Sequence, residues 1–212
     1  MSDIRGWQHF GCATPVGLNV SPSQIRSPFD EFVLASLQAV GIHPSQLIIE
    51  VTENGKISNL ADFSRTLRNL SRSGVRIALD DFGTGYLNLA HLLDINVDYL
   101  KIDRRFTKLA TEDKNPRLFR ALQAIAHELG AKVITEGVET REQLEIVCDL
   151  GSEYWQGYLH SKPSSANDVS AALRSGRWMF QKPEYPVHQL KHVSNVITLT
   201  ASTAIAAIQT GS

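Results

Sequence analysis

The chain has no surplus of charge of either sign. Lys and Arg total 21 against 22 Asp and Glu, for a net charge of −1. Nothing in that balance draws it toward nucleic acid or an anionic membrane surface. DNA and RNA are therefore not expected partners, and a phosphate ligand must be held by local groups. Cysteine is nearly absent. Cys12 and Cys148 stand far apart without metal-ligand spacing, which excludes a disulfide scaffold and reads as two reduced, buried thiols of a cytoplasmic protein. Long hydrophobic runs are missing as well. The nearest approach, Val193 to Ile208, is interrupted by Asn, Ser and Thr, and Met1 to Arg5 carries no apolar signal-peptide core, so no clear membrane segment is expected. With 42% hydrophobic and 20% charged residues, the chain can bury a core as one large domain or two small ones.

What is present is a series of acidic clusters, each closing a β-like segment: Glu50-Val51-Thr52-Glu53, Asp80-Asp81-Phe82-Gly83-Thr84-Gly85, Lys101-Ile102-Asp103 and Glu136-Gly137-Val138-Glu139. Carboxylates are costly to bury and are rarely set on apolar strands for packing. Several strands ending in acid imply one converging site, and carboxylates gathered with a single lysine imply a divalent metal.

Around these clusters, strands and helices alternate. Strands are predicted at Val16–Val20, Leu47–Val51, Val75–Leu79, Val97–Ile102, Lys132–Thr135 and Tyr154–Leu159. Helices are predicted at Pro28–Val40, Ala61–Ser73, Leu87–Leu93, Pro116–Leu129, Arg141–Leu150 and Ala166–Leu173. Phe29, Phe32, Val33, Leu37 and Val40 mark the apolar stripe of the first, Phe63, Leu67 and Leu70 that of the second, and Leu118, Leu122, Ile125 and Leu129 that of the longest. Such alternation implies parallel strands with crossover helices. Polar residues at the C-terminal ends of five or six successive strands favour a TIM-type (β/α) barrel over a doubly wound sheet, which gathers its ligands at one switch point. Only six of the eight strands of a barrel are counted, so the expected fold is an incomplete (β/α) barrel over residues 1–175. Residues 176–212 read as an irregular or disordered tail. The alternative is that Val196-Ile197-Thr198-Leu199-Thr200 adds a strand to an exposed sheet edge.

These motifs resemble, in order and over about residues 7 to 174, those of the EAL domain, a bacterial phosphodiesterase module for cyclic di-GMP. Asn19-Val20-Ser21 is similar to its Asn-Leu-Ser segment and Glu50 to Glu53 to its Glu-Ile-Thr-Glu strand end. Asp80 to Tyr86 matches its Asp-Asp-Phe-Gly-Thr-Gly-Tyr loop, and Lys101-Ile102-Asp103, Glu136 to Glu139 and Gln156-Gly157-Tyr158-Leu159 complete the set. The Glu-Ala-Leu strand that gives the family its name, which carries a metal-ligand glutamate, precedes all of these motifs and is not found here. The expectation is an N-terminally truncated EAL domain of reduced or lost activity. Its open barrel edges would be covered by the tail, a homodimer mate or a partner chain.

The resemblance implies two divalent cations, Mg2+ or Mn2+, and cyclic di-GMP as partner. By it, Asn19, Glu50, Asp80, Asp81 and Glu136 are metal ligands, with Asp80 bridging. Lys101 orients the attacking water, Glu139 and Gln156 support the second metal and substrate, Asp103 lies on the substrate side, and Glu53 anchors the Asp80–Tyr86 loop. Plainer readings stand beside each role. Asp80-Asp81 is also turn chemistry, Glu53 a helix N-terminal acid, Glu139 part of a helix cap, Lys101 a solvated strand-end lysine and Asn19 an Asx-turn residue. Two other function classes remain: a non-catalytic EAL relative that binds cyclic di-GMP or a protein, and a remnant without function.

Overall fold

A computed structural model describes residues 6–7, 15–53, 55, 57–84, 95–112, 115–159, 162–175 and 197–199. Its strands are β1 (Val16–Val20), β2 (Leu47–Thr52), β3 (Arg76–Phe82), β4 (Tyr99–Ile102), β5 (Lys132–Thr135), β6 (Tyr154–Trp155) and β7 (Ile197–Leu199). The α-helices are α1 (Phe29–Val40), α2 (Leu60–Arg72), α3 (Arg104–Thr111), α4 (Arg117–Glu128), α5 (Arg141–Asp149) and α6 (Ala166–Arg174). All strand pairs are parallel, in the order β6-β5-β4-β3-β2-β1-β7. From β1 to β6 each strand pairs with the next in sequence, as repeated βα units winding one way require. The result is an incomplete (β/α) barrel.

Local chemistry explains the element boundaries. Asn59 caps α2, its side chain accepting from the Asp62 N–H at 3.1 Å. Thr140 and Gln143 cap α5 reciprocally. Gly41 ends α1 at φ 69°, a left-handed position that glycine takes without steric cost. No helix among the described residues is long and apolar enough to cross a membrane.

Two apolar clusters arise because alternate strand residues face opposite ways. The larger lies between sheet and helices and holds Leu47, Ile49, Val51, Ile77, Leu79, Leu100, Ile102 and Val133, with Phe63, Leu67, Leu70 and Phe119 from the helices. The smaller, Ile48, Ala78, Tyr99, Ile134 and Tyr154, fills the inner face. Two residues further along the same strands come Glu50, Asp80, Lys101, Glu136 and Gln156, so this inner cluster is the apolar floor under the polar groups. The two ends of the fold meet. Gly6 and Trp7 are helical, Trp7 is buried, and its Nε1 donates to Ser170 Oγ of α6 at 2.8 Å.

The structure departs from the sequence expectations in four places. Helix α3 was not foreseen. It follows β4 directly behind the Asp103 cap, and although Phe106, Leu109 and Ala110 stand at helical spacing, a helix of eight residues is too short for that spacing to establish a period. Strand β6 has two residues rather than six, because the chain turns after Trp155. The stripe of α4 is rotated: Leu118 is 54% exposed, and Phe119, Gln123 and Ala126 are the buried positions. In α1, Phe32 is likewise exposed beside the buried Val33 and Leu37. Residues 197–199 pair with β1, which is the edge-strand alternative for those residues. The predicted Leu87–Leu93 helix lies outside the described residues, as does Cys12. Cys148 is a free, half-buried thiol pushed up to about 11, first by burial and then by the neighbouring Asp149 charge.

The rotation of α4 is testable. Phe119→Ala should lower unfolding stability by about 3–5 kcal/mol, as for other large buried side chains, and Leu118→Ala by less than about 0.5 kcal/mol. Urea unfolding of the two variants measures both, and equal losses would contradict the assignment of the buried face.

Candidate functional site

The site is built at the C-terminal ends of β2 to β6. Glu50 is the fourth residue of β2 and Lys101 the third of β4. Both are buried. Lys101 Nζ stands 2.8 Å from Glu50 Oε2, 2.8 Å from Asp80 Oδ1 and 2.8 Å from Glu136 Oε1. Glu136 Oε1 also accepts from Gln156 Nε2 at 2.8 Å. Burial alone drives the Lys101 pKa down, but the charges of Glu50, Glu136 and Asp80 together outweigh it and hold the ammonium above the ordinary lysine range. Lys101 is thus a permanent cation. Glu136 is pushed up to about 7, first by burial and then by the Asp80 and Asp81 charges, against the opposing pull of Lys101.

Strict alternation would send the adjacent Asp80 and Asp81 to opposite faces of β3. The ladder to β4 prevents this. It runs in register at Leu79–Leu100 and resumes at Phe82–Ile102, so the Asp80-Asp81 pair spans one extra residue. That is a bulge, and Asp81 takes φ 57° within it. Asp81 consequently turns toward the same space as Asp80. One carboxylate oxygen each from Asp80, Asp81 and Glu136 lies within 4.8 Å of the others, in the geometry of a metal-ligand group. The Asp81 carboxyl is raised by burial first, then by Asp80 and Asp103.

Two features fit a divalent ion. The donors are carboxylate oxygens, which hard cations prefer. Asn19 lies opposite Glu50 in the β1–β2 register, and its buried Oδ1 has no hydrogen-bond partner among the described residues. An orphaned buried acceptor is unusual and calls for a ligand.

The remaining predicted residues sit around this centre. Glu53 is buried and accepts from Gly83 N–H at 2.9 Å and Thr84 N–H at 3.1 Å. It ties the loop after β3 to β2. Asp103 caps α3, accepting from the Arg105 backbone N–H at 2.9 Å and Nε at 2.8 Å, and approaches Asp81. Glu139 is exposed and precedes the α5 cap, where its backbone N–H donates to Gln143 Oε1 at 2.7 Å. The structure therefore gathers Glu50, Asp80, Asp81, Lys101, Glu136 and Gln156. It sets Asn19 beside Glu50 on the neighbouring strand, puts Asp103 next to Asp81, has Glu53 hold the loop after β3, and leaves Glu139 exposed before α5. His127, a surface residue in the sequence reading, is half-exposed and pairs with Glu153 at 3.1 Å.

Two supporting residues escaped the sequence reading. Thr107 Oγ1 donates to the Glu136 carbonyl at 2.7 Å, a contact that requires the unforeseen α3. Gly17 lies under Glu50, and a methyl there would overlap the Glu50 Oε1 atom and crowd Cδ to 2.8 Å. A glycine inside a strand is the one signal that could have marked it.

The raised Glu136 pKa fixes a pH dependence. The unfolded carboxyl titrates near 4.5 and the folded one near 7, so its contribution to stability is complete below 4.5 and is lost as pH rises through 7. In EDTA the chain should be less stable at pH 8 than at pH 5, by on the order of 3 kcal/mol. Glu136→Gln should flatten that slope in urea unfolding, and a wild-type slope in this variant would contradict the assignment.

The comparisons agree with this geometry. The family model described as EAL domain matches residues 1–163. The cyclic di-GMP phosphodiesterase PdeF of Escherichia coli is 36% identical over 72% of this chain and 21% of its own length. The EAL domain of Mycobacterium smegmatis DcpA superposes with a TM-score of 0.73 at 32% identity, over 82% of this chain and 80% of that one. Klebsiella pneumoniae BlrP1, solved as a manganese and cyclic di-GMP complex, gives a TM-score of 0.65 at 27% identity, over 76% and 42%. The chain spans only 20–26% of the length of curated relatives such as YkoW of Bacillus subtilis. The strand-end acids, the buried lysine and the family match together make this chain a member of the EAL domain family.

Proposed function

We propose that the chain is the catalytic-face portion of an EAL-type phosphodiesterase, hydrolysing cyclic di-GMP to the linear dinucleotide with two divalent cations, Mg2+ or Mn2+. The observation that carries this reading is the Lys101 ammonium at 2.8 Å from three carboxylates, beside the Asp80, Asp81 and Glu136 donor group. Related structures support the ligand: Klebsiella pneumoniae BlrP1 forms complexes with cyclic di-GMP and calcium or manganese.

In this reading Asn19, Glu50 and Asp80 would hold one cation, and Asp80, Asp81 and Glu136 the other. Bound there, the cations supply Lewis-acid charge and lower the pKa of a water. The residues of the chain do the rest. Lys101, held protonated, orients the water and offsets charge building on the phosphate, and it cannot serve as the base. Gln156 fixes the Glu136 carboxylate through its amide. Asp103 and Gln156 face the substrate side, and Glu139 supports the second-cation side from the exposed rim. Glu53 acts through the loop it holds, so it is a positioning residue. The setting proposed is the cytoplasm.

The 212 residues contain no Glu-Ala-Leu sequence. We accordingly propose that these residues alone turn over slowly compared with a complete domain. A second reading, a non-catalytic cyclic di-GMP receptor, is favoured by the lack of a Glu-Ala-Leu sequence among these residues.

The test is hydrolysis and binding of cyclic di-GMP by the purified chain with Mg2+, Mn2+ and Ca2+. The expected outcome is linear dinucleotide with Mg2+ or Mn2+, reduced at least 100-fold in Lys101→Met and Asp80→Asn. Binding without product supports the receptor reading. A folded chain that neither binds nor cleaves overturns both.

A further inference from the structure

The inner face of the sheet has a second polar end, which the function proposed above leaves unused. The acids of the site stand at the C-terminal ends of the strands. Toward the N-terminal ends the same face carries cations. Arg76 lies two residues before Ala78 on β3, and Lys132 two residues before Ile134 on β5, so both share the side of the sheet that holds the apolar floor. Arg76 is half-buried and Lys132 exposed, so this end is open to solvent.

Neither cation meets a carboxylate among the described residues. Arg76 Nη1 donates to Tyr99 OH at 2.7 Å, and Lys132 Nζ donates to Tyr154 OH at 3.4 Å. Tyr99 and Tyr154 are 7% and 8% exposed. Each hydroxyl accepts from a cation, and its own proton has no acceptor among the described residues. A buried O–H with nothing to donate to is uncommon and costly. Cations that merely cover the rings would leave both protons unsatisfied. The four groups form one patch. Tyr99 and Lys132 are registered neighbours on β4 and β5, the Tyr99 and Tyr154 rings pack edge to face with centroids 5.8 Å apart, and Lys132 Nζ lies 5.8 Å from the Tyr154 ring centre.

We propose that Arg76, Lys132, Tyr99 and Tyr154 form a binding site for a small oxyanion of the phosphate class, at the opposite end of the strands from the acidic cluster. Such a ligand supplies both things the patch lacks: acceptors for two phenol protons and negative charge for two cations. The guanidinium offers paired donors that match phosphate oxygens, and the ammonium adds a point charge. The same two charges repel a metal ion, and a neutral ligand would leave them unanswered. An oxyanion held by β3 to β6 together also stabilises the folded sheet by mass action. The inference stands whether or not the chain is a phosphodiesterase.

Inorganic phosphate titrated into the whole chain tests it, at pH 8 in EDTA and constant ionic strength, with the tyrosine rings isotope-labelled and followed by NMR. Tyr99→Phe and Tyr154→Phe assign the two ring signals. Both signals should shift saturably with phosphate, while that of Tyr158, exposed two residues beyond Gln156, stays in place. The half-saturating concentration should rise at least tenfold in Lys132→Gln, a substitution at an exposed position that the fold tolerates, and Arg76→Gln gives the same comparison from β3. A wild type whose Tyr99 and Tyr154 signals ignore phosphate overturns the site without recourse to any variant. Signals that move equally with chloride, or as readily in Lys132→Gln as in the wild type, reveal a general salt effect and overturn it too.

Discussion

The buried ammonium of Lys101 is the constraint on which the rest of the site depends. An isolated charge so placed would cost many kcal/mol, and so would Glu50 beside it. Neither is tolerable alone. Together with Asp80 and Glu136 they form a cluster in which each charge offsets the desolvation of another. β2, β3, β4 and β5 must bring their C-terminal ends level with one another for three carboxylates to reach one nitrogen at 2.8 Å. The apolar floor of Ile48, Ala78, Tyr99, Ile134 and Tyr154 excludes water from below, which strengthens every electrostatic contact above it.

That cluster also explains why its acids remain suited to a metal. Three carboxylates exceed what one ammonium can neutralise, and Asp81 adds a fourth. Burial first, and then the charges of Asp80 and Asp81, lift the Glu136 pKa, and a divalent cation relieves the repulsion among these acids. The bulge in β3 is the backbone device that makes the surplus, because it turns two sequential aspartates into one space. Glu53 holds the following Gly83 and Thr84 amides, so the loop cannot carry Asp81 away.

Much of this was legible in the sequence. Acid at the end of each apolar segment gave the face on which the site sits, and the alternation of element types gave the parallel sheet. Asn19, Glu50, Asp80, Asp81, Lys101, Glu136 and Gln156 were all named from position and resemblance. What escaped had at most a weak local signature. Helix α3 is eight residues long, too short for its Phe106, Leu109 and Ala110 to establish a period, and the support that Thr107 gives to Glu136 went with it. Leu118 satisfied the periodic pattern as well as Phe119 did, and only the packing of α4 against β4 and β5 decided between them. The role of Gly17 depends on where Glu50 leans, which is a tertiary fact. The short run 197–199 fits a strand or a tail equally well until a partner edge is supplied by β1.

We propose that the acids around Lys101 are a receptacle for paired divalent cations and not merely an internal ion cluster. Electron paramagnetic resonance of Mn2+ titrated into the purified chain tests this most directly, because it counts bound ions without requiring turnover. Two Mn2+ per chain, with both lost in Asp80→Asn and one in Asp81→Asn, is the result predicted. Mn2+ that stays free in the wild type, or binds equally to all three proteins, would contradict it.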